Sequence, residues 1–211
     1  MQGKHSFACI VKSEILLMTR QVKKEIRIIG WDDAKHTRKT KTVILVGTIF
    51  RGGQFLDGML SVRITRDGLD ATEKIARSIL KSRHYDQLSV IMLDGITFGG
   101  FNIVDIHKLY KLTNLPVIAI QRKPPDMKEF LGAIKKVFKD WKKRVAIVKR
   151  TGKVIEFNKN GKQLYYQFAG IERERVEKIL DISTVHGNMP EPIRAAHLIA
   201  GGLSGESRGR A

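Results

Sequence analysis

Carboxylates follow three apolar segments of the chain at the points where β-strands are expected to end. They are Asp32 and Asp33 after 26–31, Asp67 after 59–65, and Asp94 after 88–93. Carboxylates at strand ends converge on one edge of a sheet, and clusters with only oxygen ligands bind Mg²⁺ or Mn²⁺. The sequence therefore predicts a divalent-metal site with Asp32, Asp94, Asp67 and Asp33 as candidate ligands.

The remainder of the chain is strongly basic, with 39 Lys and Arg against 21 Asp and Glu and a formal charge of +18. A basic surface binds phosphates, and a metal held by carboxylates activates water. This combination suits a metal-dependent nuclease. The charge predicts an anionic partner, DNA or RNA, since no apolar run approaches the roughly 20 residues that a membrane-spanning helix needs.

We expect a cytoplasmic protein, because 1–20 lacks the apolar core and cleavage site of a signal peptide. Cys9 is the only cysteine, which excludes an intramolecular disulfide. The pattern predicts an N-terminal extension over 1–24, one domain over 25–200 and a flexible tail over 201–211. Met18 precedes a polar lead-in to the first clear strand and is an alternative translation start.

Hydrophobic periodicity predicts an α/β fold with a mixed sheet flanked by helices. Asp70 and Glu73 suggest a capping box, Asn102 suggests a second helix cap, and Gly52-Gly53 suggests a tight hairpin. The predicted strands are 26–31, 42–51, 54–65, 88–93, 116–121, 145–149, 154–157 and 164–168. The predicted helices are 70–83, 102–112, 126–143, 172–181 and 190–200. This order occurs in the ribonuclease H-like architecture.

Each carboxylate also has a structural interpretation. Asp-Gly is a common turn dipeptide, and both Asp67-Gly68 and Asp94-Gly95 fit that description. Asp32 and Asp94 meet only if their strands are neighbours in the sheet. Asp33 is expected to point to the opposite face from Asp32, because side chains alternate along a strand.

Several long runs of the sequence carry a resemblance to a known family. They are 29–33 (IGWDD), 46–53 (VGTIFRGG), 67–72 (DGLDAT), 92–105 (MLDGITFGGFNIVD), 115–116 (LP) and 190–198 (PEPIRAAHL). Over 26–208 the chain resembles the archaeal family known as domain of unknown function ninety-nine, which is related to endonuclease V. The resemblance implies a ribonuclease H-like, endonuclease V-like fold.

The more distant resemblance to endonuclease V is carried by single residues. Asp32 matches its first-strand aspartate in a Gly-x-Asp setting, Asp94 matches its Asp-Gly, and Lys123 or the neighbouring Arg122 matches its lysine. The resemblance implies hydrolysis of a nucleic-acid strand near a deaminated base, with deoxyuridine and deoxyinosine as candidate targets and DNA repair as the expected role, and it leaves DNA and RNA both open as the strand. This chain has Asp67 where endonuclease V has a glutamate, and the Pro-Tyr strand-separating wedge is missing.

Other residues suit nucleic-acid binding. The basic loop after Asp33 and the last helix supply most of them, and His197 is a candidate proton donor to a leaving oxygen or a packed histidine. Phe98 and Phe101 are candidates for stacking on an extruded base or for the core. The predicted nucleic-acid-binding residues are Lys35, Arg38, Lys39, Lys41, Arg122, Arg194 and His197.

The sequence leaves three functions open. The first is a metal-dependent endonuclease in which Asp32, Asp94, Asp67 and Lys123 act in catalysis. The alternative is a nucleic-acid-binding protein that retains the nuclease fold without cleaving. A third is a metal-dependent hydrolase of nucleotides or other small phosphorylated molecules.

Overall fold

The structure is a computed structural model that describes residues 22–159, 161–205 and 207. The predictions made for 1–21, among them the alternative start at Met18, lie outside the described residues. Residues 206 and 208–211 of the predicted tail also lie outside the described residues. Within the described residues no helix is long and apolar enough to cross a membrane.

Seven strands of the described residues form one mixed sheet, and two further strands form a small hairpin. The order in the large sheet is β3-β2-β1-β4-β7-β9-β8. The strand β1 pairs antiparallel with β2 and parallel with β4, and β4 pairs parallel with β7. The strands are β1 (Arg27–Asp33), β2 (Thr42–Arg51), β3 (Phe55–Thr65), β4 (Val90–Asp94), β5 (Thr97–Phe98), β6 (Asn102–Ile103), β7 (Val117–Gln121), β8 (Ile155–Lys159) and β9 (Lys162–Ala169).

Helices cover both faces of this sheet, as the sequence predicts. The apolar residues of α1 to α4 pack on one face, and those of α5 and α6 pack on the other. Ile29 and Ile28 of β1 enter the two different cores, because successive side chains alternate. The helices are α1 (Ala71–Leu80), α2 (Ile106–Thr113), α3 (Met127–Val137), α4 (Trp141–Arg150), α5 (Arg173–Ser183) and α6 (Glu191–Gly202).

Parallel pairing of β1 with β4 brings Asp32 and Asp94 to the same edge of the sheet. Trp31 lies opposite Leu93 in the register, so Asp32 and Asp94 follow paired residues at the same edge of the sheet. Helix α6 crosses this region closely: a Cβ on Gly30 would lie 2.4 Å from the backbone carbon of Pro192. Only glycine permits this contact, which brings α6 against β1.

The region predicted as one helix followed by a strand is instead a helical hairpin. The predicted helix 126–143 ends at Val137 and restarts at Trp141, because Phe138 takes an extended conformation. The predicted strand 145–149 was wrong, since these residues belong to α4. Val145 and Val148 are three residues apart, and on a helix this spacing turns both toward the core.

Of the two predicted helix caps, Asp70 occupies the N-cap position of α1 without the predicted capping bond, and Asn102 as the cap of α2 was wrong. Asp70 makes no capping bond, and its carboxylate accepts hydrogen bonds from the backbone N–H of Thr65 and from Nδ2 of Asn102. Asn102 lies in β6, and its side chain links that strand to the turn of 65–70. The cap of α2 is Asp105, whose carboxylate accepts from the backbone N–H of Lys108. Long-range polar contacts have displaced the local ones that the sequence suggested.

Candidate active site

Three side chains from distant parts of the sequence meet at the edge of the sheet where β1 and β4 end. Asp32, Asp94 and His197 each offer one ligand atom, and these atoms lie within 4.8 Å of one another. Of the residues that the structure describes, these form the one such group of three or more His, Cys, Asp and Glu side chains. Two strands and helix α6 therefore supply a candidate metal centre.

The contact between His197 and Asp32 ties α6 to β1. Nδ1 of His197 lies 2.7 Å from Oδ2 of Asp32, and Oδ1 of Asp32 accepts from the backbone N–H of Asp33 at 2.8 Å. Asp32 is only 5% exposed. The hydrogen bond to Asp32 raises the pKa of His197, and partial burial opposes this rise. The carboxylate and imidazole are thus held in fixed orientations.

Asp94 is the most perturbed carboxyl of the site. Its pKa is raised to about 7, mainly by burial and next by the negative charge of Asp32, while the charges of Arg122 and His197 lower the pKa. Two carboxylates that repel each other in a partly dry site are stabilised by a cation placed between them. The electrostatics of the pair therefore fit a bound divalent ion.

Asp33 lies beside this group and points to the other side of the sheet, as strand alternation predicts. Its Oδ2 accepts from the backbone N–H of Gly99 at 2.7 Å and lies 3.5 Å from Nδ1 of His36. Burial raises the pKa of Asp33, the Gly99 hydrogen bond lowers it, and the nearby charge of Asp32 raises it again. Asp33 anchors the loop that carries β5.

A cavity of about 360 Å³ opens beside the carboxylates. Asp32, Asp33 and Asp94 border one part of it. Gln121, Gln167, Thr97 and Arg122 border another part, and most of the remaining wall is apolar. The apolar lining consists of Ile96, Pro125, Met127, Phe130 and Val148. A cavity with acidic, amide and apolar walls can accept a flat polar ring next to a phosphate.

The two phenylalanines that the sequence suggested for base stacking have packing contacts in the structure. Phe98 is 1% exposed and belongs to the core. Phe101 stacks on Phe130, with ring centroids 5.7 Å apart and an interplanar angle of 14°. Phe130 is the ring that borders the cavity.

The structure does not bring Asp67 to the group of three. Asp67 adopts a positive φ of 55°, and its Oδ1 accepts from the backbone N–H of Phe101 at 2.9 Å. Its Oδ2 pairs with Arg66 at 2.8 Å. Asp67 does not border the cavity. These contacts hold Asp67 in a turn, apart from the group of three.

Of the two cations considered after β7, Arg122 borders the cavity and Lys123 does not. Arg122 is also the cation whose charge lowers the pKa of Asp94. Lys123 is exposed. Local sequence did not distinguish these neighbours, because their difference depends on how β7 ends against β4.

The other predicted phosphate ligands fall into two environments. Arg194 of α6 donates from Nε and Nη2 to Oε2 of Glu191, at 2.8 and 2.5 Å, and Glu191 is buried. Its guanidinium therefore already has a carboxylate partner. The remaining predicted cations are exposed on the loop between β1 and β2; they are Lys35, Arg38, Lys39 and Lys41.

Comparisons with known proteins identify the fold and the family of the chain. The fold is that of the ribonuclease H-like proteins related to endonuclease V. Endonuclease V of Ciona intestinalis, solved with a 24mer DNA containing an inosine followed by a ribo-adenosine, superimposes with a TM-score of 0.53. That alignment covers 92% of this chain and 94% of that one at 12% identity, and it shows the shared fold alone.

Within this class, the chain belongs to the endonuclease dU family, whose sequence profile matches residues 24–204. A UPF0215 protein of Methanothermobacter thermautotrophicus is 52% identical over 194 residues, covering 91% of this chain and 95% of the relative. A solved protein of unknown function from Archaeoglobus fulgidus is 36% identical with a TM-score of 0.76. It covers 84% of this chain and 98% of that one.

Proposed function

We propose that this protein is a divalent-metal-dependent endonuclease that hydrolyses a phosphodiester bond of nucleic acid next to a deaminated base. The observation that carries the proposal is the convergence of Asp32, Asp94 and His197 within 4.8 Å at one edge of the sheet. The family name and the inosine-containing DNA bound by the Ciona protein support this choice of substrate.

The donor set fits a divalent cation. Two carboxylates and one imidazole favour Mg²⁺ or Mn²⁺, because hard oxygen ligands predominate. A bound ion would supply Lewis-acid neutralisation of the phosphate and activation of water. Asp32 and Asp94 are the proposed ligands. His197 is the third candidate ligand and also fixes the orientation of Asp32.

The remaining residues of the site bind and orient the substrate in this proposal. Arg122 lies at the cavity beside Asp94, where its guanidinium would hold a non-bridging phosphate oxygen. During hydrolysis a bond forms between a water oxygen and phosphorus, and the bond from phosphorus to the leaving oxygen breaks. The attacking water gives up a proton, and the leaving oxygen takes one up.

The cavity provides room for the base. A base that is turned out of its stack needs an apolar surface and polar groups at its edge. Phe130 and Met127 supply the surface, while the amides of Gln121 and Gln167 can meet base carbonyls. Gln167 is held in place, since its Nε2 donates to the carbonyl oxygen of Gly152 at 2.7 Å. Deoxyuridine and deoxyinosine both carry such carbonyls.

The proposal is tested with labelled DNA and RNA strands that contain uracil, hypoxanthine or unmodified bases, incubated with Mg²⁺ or Mn²⁺. We expect nicking only with a divalent metal and next to a deaminated base. Asp94→Asn should reduce the rate by about 100-fold or more while binding remains, because the charge that holds the ion is lost. Asp67→Asn is the matched control and should cleave at nearly the wild-type rate.

Two outcomes would contradict the proposal. Unchanged nicking by Asp94→Asn would remove the acidic group from the mechanism. Binding of every strand without nicking under any metal would instead favour the second candidate, a nucleic-acid-binding protein that retains the fold but does not cleave.

A further inference from the structure

Half of the net charge of the protein is concentrated in one helical hairpin. Residues 122–153, which include α3 and α4, carry twelve Lys and Arg against three Asp and Glu. Their net charge of +9 is half of the +18 of the whole chain. The loop after β1 was the basic segment that the sequence connected with the site, but this hairpin contains more charge.

Four lysines of the hairpin form what we call the basic row: Lys128, Lys135, Lys142 and Lys149. Lys128 and Lys135 are seven residues apart on α3, and Lys142 and Lys149 are seven apart on α4, so each pair shares one helix flank. All four are exposed. Among the described residues, none of the four forms an ion pair with a carboxylate.

The two halves of the basic row meet at one aromatic ring. Nζ of Lys135 and Nζ of Lys142 each lie 5.8 Å from the ring centroid of Trp141. Trp141 begins α4, directly after the bend between the helices. The row is therefore a continuous cationic surface that runs along α3, passes Trp141 and returns along α4.

The outer ends of the basic row lie at the end of the hairpin that borders the cavity. Lys128 follows Met127, and Lys149 follows Val148, and both Met127 and Val148 border the cavity beside the carboxylates. The hairpin bend lies at the far end of both helices. A strand whose base enters the cavity would therefore continue past these lysines.

The acidic residues of the hairpin do not neutralise the row. Asp126 accepts from the backbone N–H of Glu129 at the start of α3, and Asp140 accepts from Nε of Arg144. Glu129 is the remaining carboxylate of the segment. The excess positive charge thus faces solvent and is available to phosphates.

A buried arginine holds the hairpin at a fixed position relative to the carboxylates. Arg144 is 5% exposed and donates to the carbonyl oxygens of Asp67, Gly68 and Phe101 at 2.9, 3.1 and 2.7 Å. Phe101 lies in the same loop as Gly99, whose backbone N–H donates to Oδ2 of Asp33. A nucleic-acid strand bound on α3 and α4 is consequently held at a fixed position relative to the proposed metal ligands.

We propose that the basic row is the surface that binds the phosphate backbone of the nucleic acid flanking the cleavage site. This inference rests on the proposed action on nucleic acid and adds the surface that carries it. Lysines along a helix flank bind phosphates by charge and not by sequence, so the row contributes affinity to every substrate equally. An anionic membrane is the competing ligand for such a surface.

The test compares two charge-matched variants. In the row variant, Lys128, Lys135, Lys142 and Lys149 are all replaced by Gln. In the control variant, Lys81, Arg83, Lys111 and Lys178 are replaced by Gln; all four are exposed. The first three lie near the edge where β4 and β7 begin, opposite the site, and Lys178 lies on α5 across the sheet.

Binding is measured by fluorescence anisotropy on an unmodified 24mer duplex in EDTA over a range of salt concentrations. Without metal, the readout is independent of cleavage. We expect the row variant to bind about 10- to 100-fold more weakly near physiological salt. The slope of log K against log salt should fall by up to about 0.9 for each lysine that contacts a phosphate. The control variant should stay within about twofold of wild type.

Equal losses in both variants would overturn the inference, because net charge alone would then explain binding. An unchanged slope in the row variant would overturn it as well. Vesicles with anionic lipid are run in parallel, and loss of vesicle binding with intact DNA binding would assign the row to membranes. If the row variant fails to bind DNA but Asp94→Asn still nicks, this inference stands and the proposed metal mechanism fails.

Discussion

At the scale of single residues, the site depends on two carboxylates that are brought closer together than their charges favour. Both come from sequence settings that also describe ordinary turns, so local patterns left their role open. Parallel pairing of β1 with β4 is what places Asp32 beside Asp94. The sequence predicted His197 as a nucleic-acid-binding residue, a proton donor or a packed histidine, but not as a metal ligand, since its contact with Asp32 spans 165 residues. Its position on α6 gave no local signal for metal binding.

Asp94→Asn should stabilise the metal-free protein at pH 8. The pKa of Asp94 is raised to about 7, so the folded state keeps a proton that the unfolded state loses near pH 4. Stability is therefore lost as pH rises from about 4 to 7 and stays reduced above it. We expect the melting temperature of the variant in EDTA to exceed that of wild type by several degrees at pH 8. The difference should be smaller at pH 5, and an equal gain at both pH values would contradict this assignment.

Mn²⁺ should raise the melting temperature of wild type and leave that of Asp94→Asn unchanged. A ligand that binds only the folded state stabilises it by about 2.7 kcal/mol at 100 times its Kd. Protons compete for the same carboxylates, so the stabilisation should be larger at pH 8 than at pH 6. Calorimetric scans with and without the ion give the measurement. Asp67→Asn serves as the control and should respond like wild type.

The pKa of His197 should fall when Asp32 is replaced by Asn. The hydrogen bond to Asp32 is the largest cause of its raised pKa. The pair therefore stabilises the fold below the ordinary histidine pKa of about 6.5, and this contribution is lost as pH rises through the raised value. An NMR titration of the imidazole in metal-free protein measures the change. An unchanged His197 titration would show that the contact is absent in solution.

At the scale of elements, the first three strands and β4 were predicted to within a few residues, because their apolar runs are long and bounded by turn residues. The helical hairpin of α3 and α4 was not predicted. Val145, Ile147 and Val148 are β-branched and suggested a strand, whereas packing of Val145 and Val148 on the core favours a helix. Arg144 contributes as well, and its carbonyl partners are far away in sequence.

Arg144→Met should destabilise the protein by about 3 kcal/mol or more. The substitution leaves carbonyl oxygens of Asp67, Gly68 and Phe101 without their donor, and each buried unpaired group costs about 1–3 kcal/mol. Equilibrium denaturation measures the loss. Lys143→Met, an exposed change on the same helix, should stay within about 0.5 kcal/mol of wild type. Similar stabilities of the two variants would contradict the role of Arg144.

Gly30→Ala should separate α6 from β1 and weaken metal binding. The added methyl group would lie 2.4 Å from the backbone of Pro192, so the helix that carries His197 must move away. We expect both lower stability and at least a tenfold loss of Mn²⁺ affinity in titration calorimetry. Gly132→Ala is the matched control, because nothing lies within 4 Å of its new methyl group. It should be stabilising by roughly 0.5–1 kcal/mol.

At the scale of the whole molecule, the sheet is most deeply buried where the site is attached. Strands β1, β4 and β7 are covered on both faces, whereas β3 is an edge strand with Phe55, Leu56 and Met59 about half exposed. Rigid central strands hold the carboxylates, and charged helices surround them. The burial of the central strands was predictable from the sequence, since 88–93 and 116–121 are almost wholly apolar. The position of α6 over β1 was not predictable, because it depends on tertiary packing.

Backbone amides of β4 should exchange with deuterium far more slowly than those on the outer side of β3. The amides of β4 are bonded within the sheet between β1 and β7, so they open only in global unfolding. Exchange measured by mass spectrometry or NMR at pH 7 tests this order. Protection of β3 equal to that of β4 would show that the edge is covered by another chain.

The 165 residues that separate Asp32 from His197 have a consequence for synthesis of the protein. A ribosome releases the first carboxylate early and the histidine only near the end of translation. A nascent chain therefore carries both carboxylates without the histidine for about half of its elongation. The group of three side chains is therefore complete only after α6, the last helix of the described residues, has packed against β1.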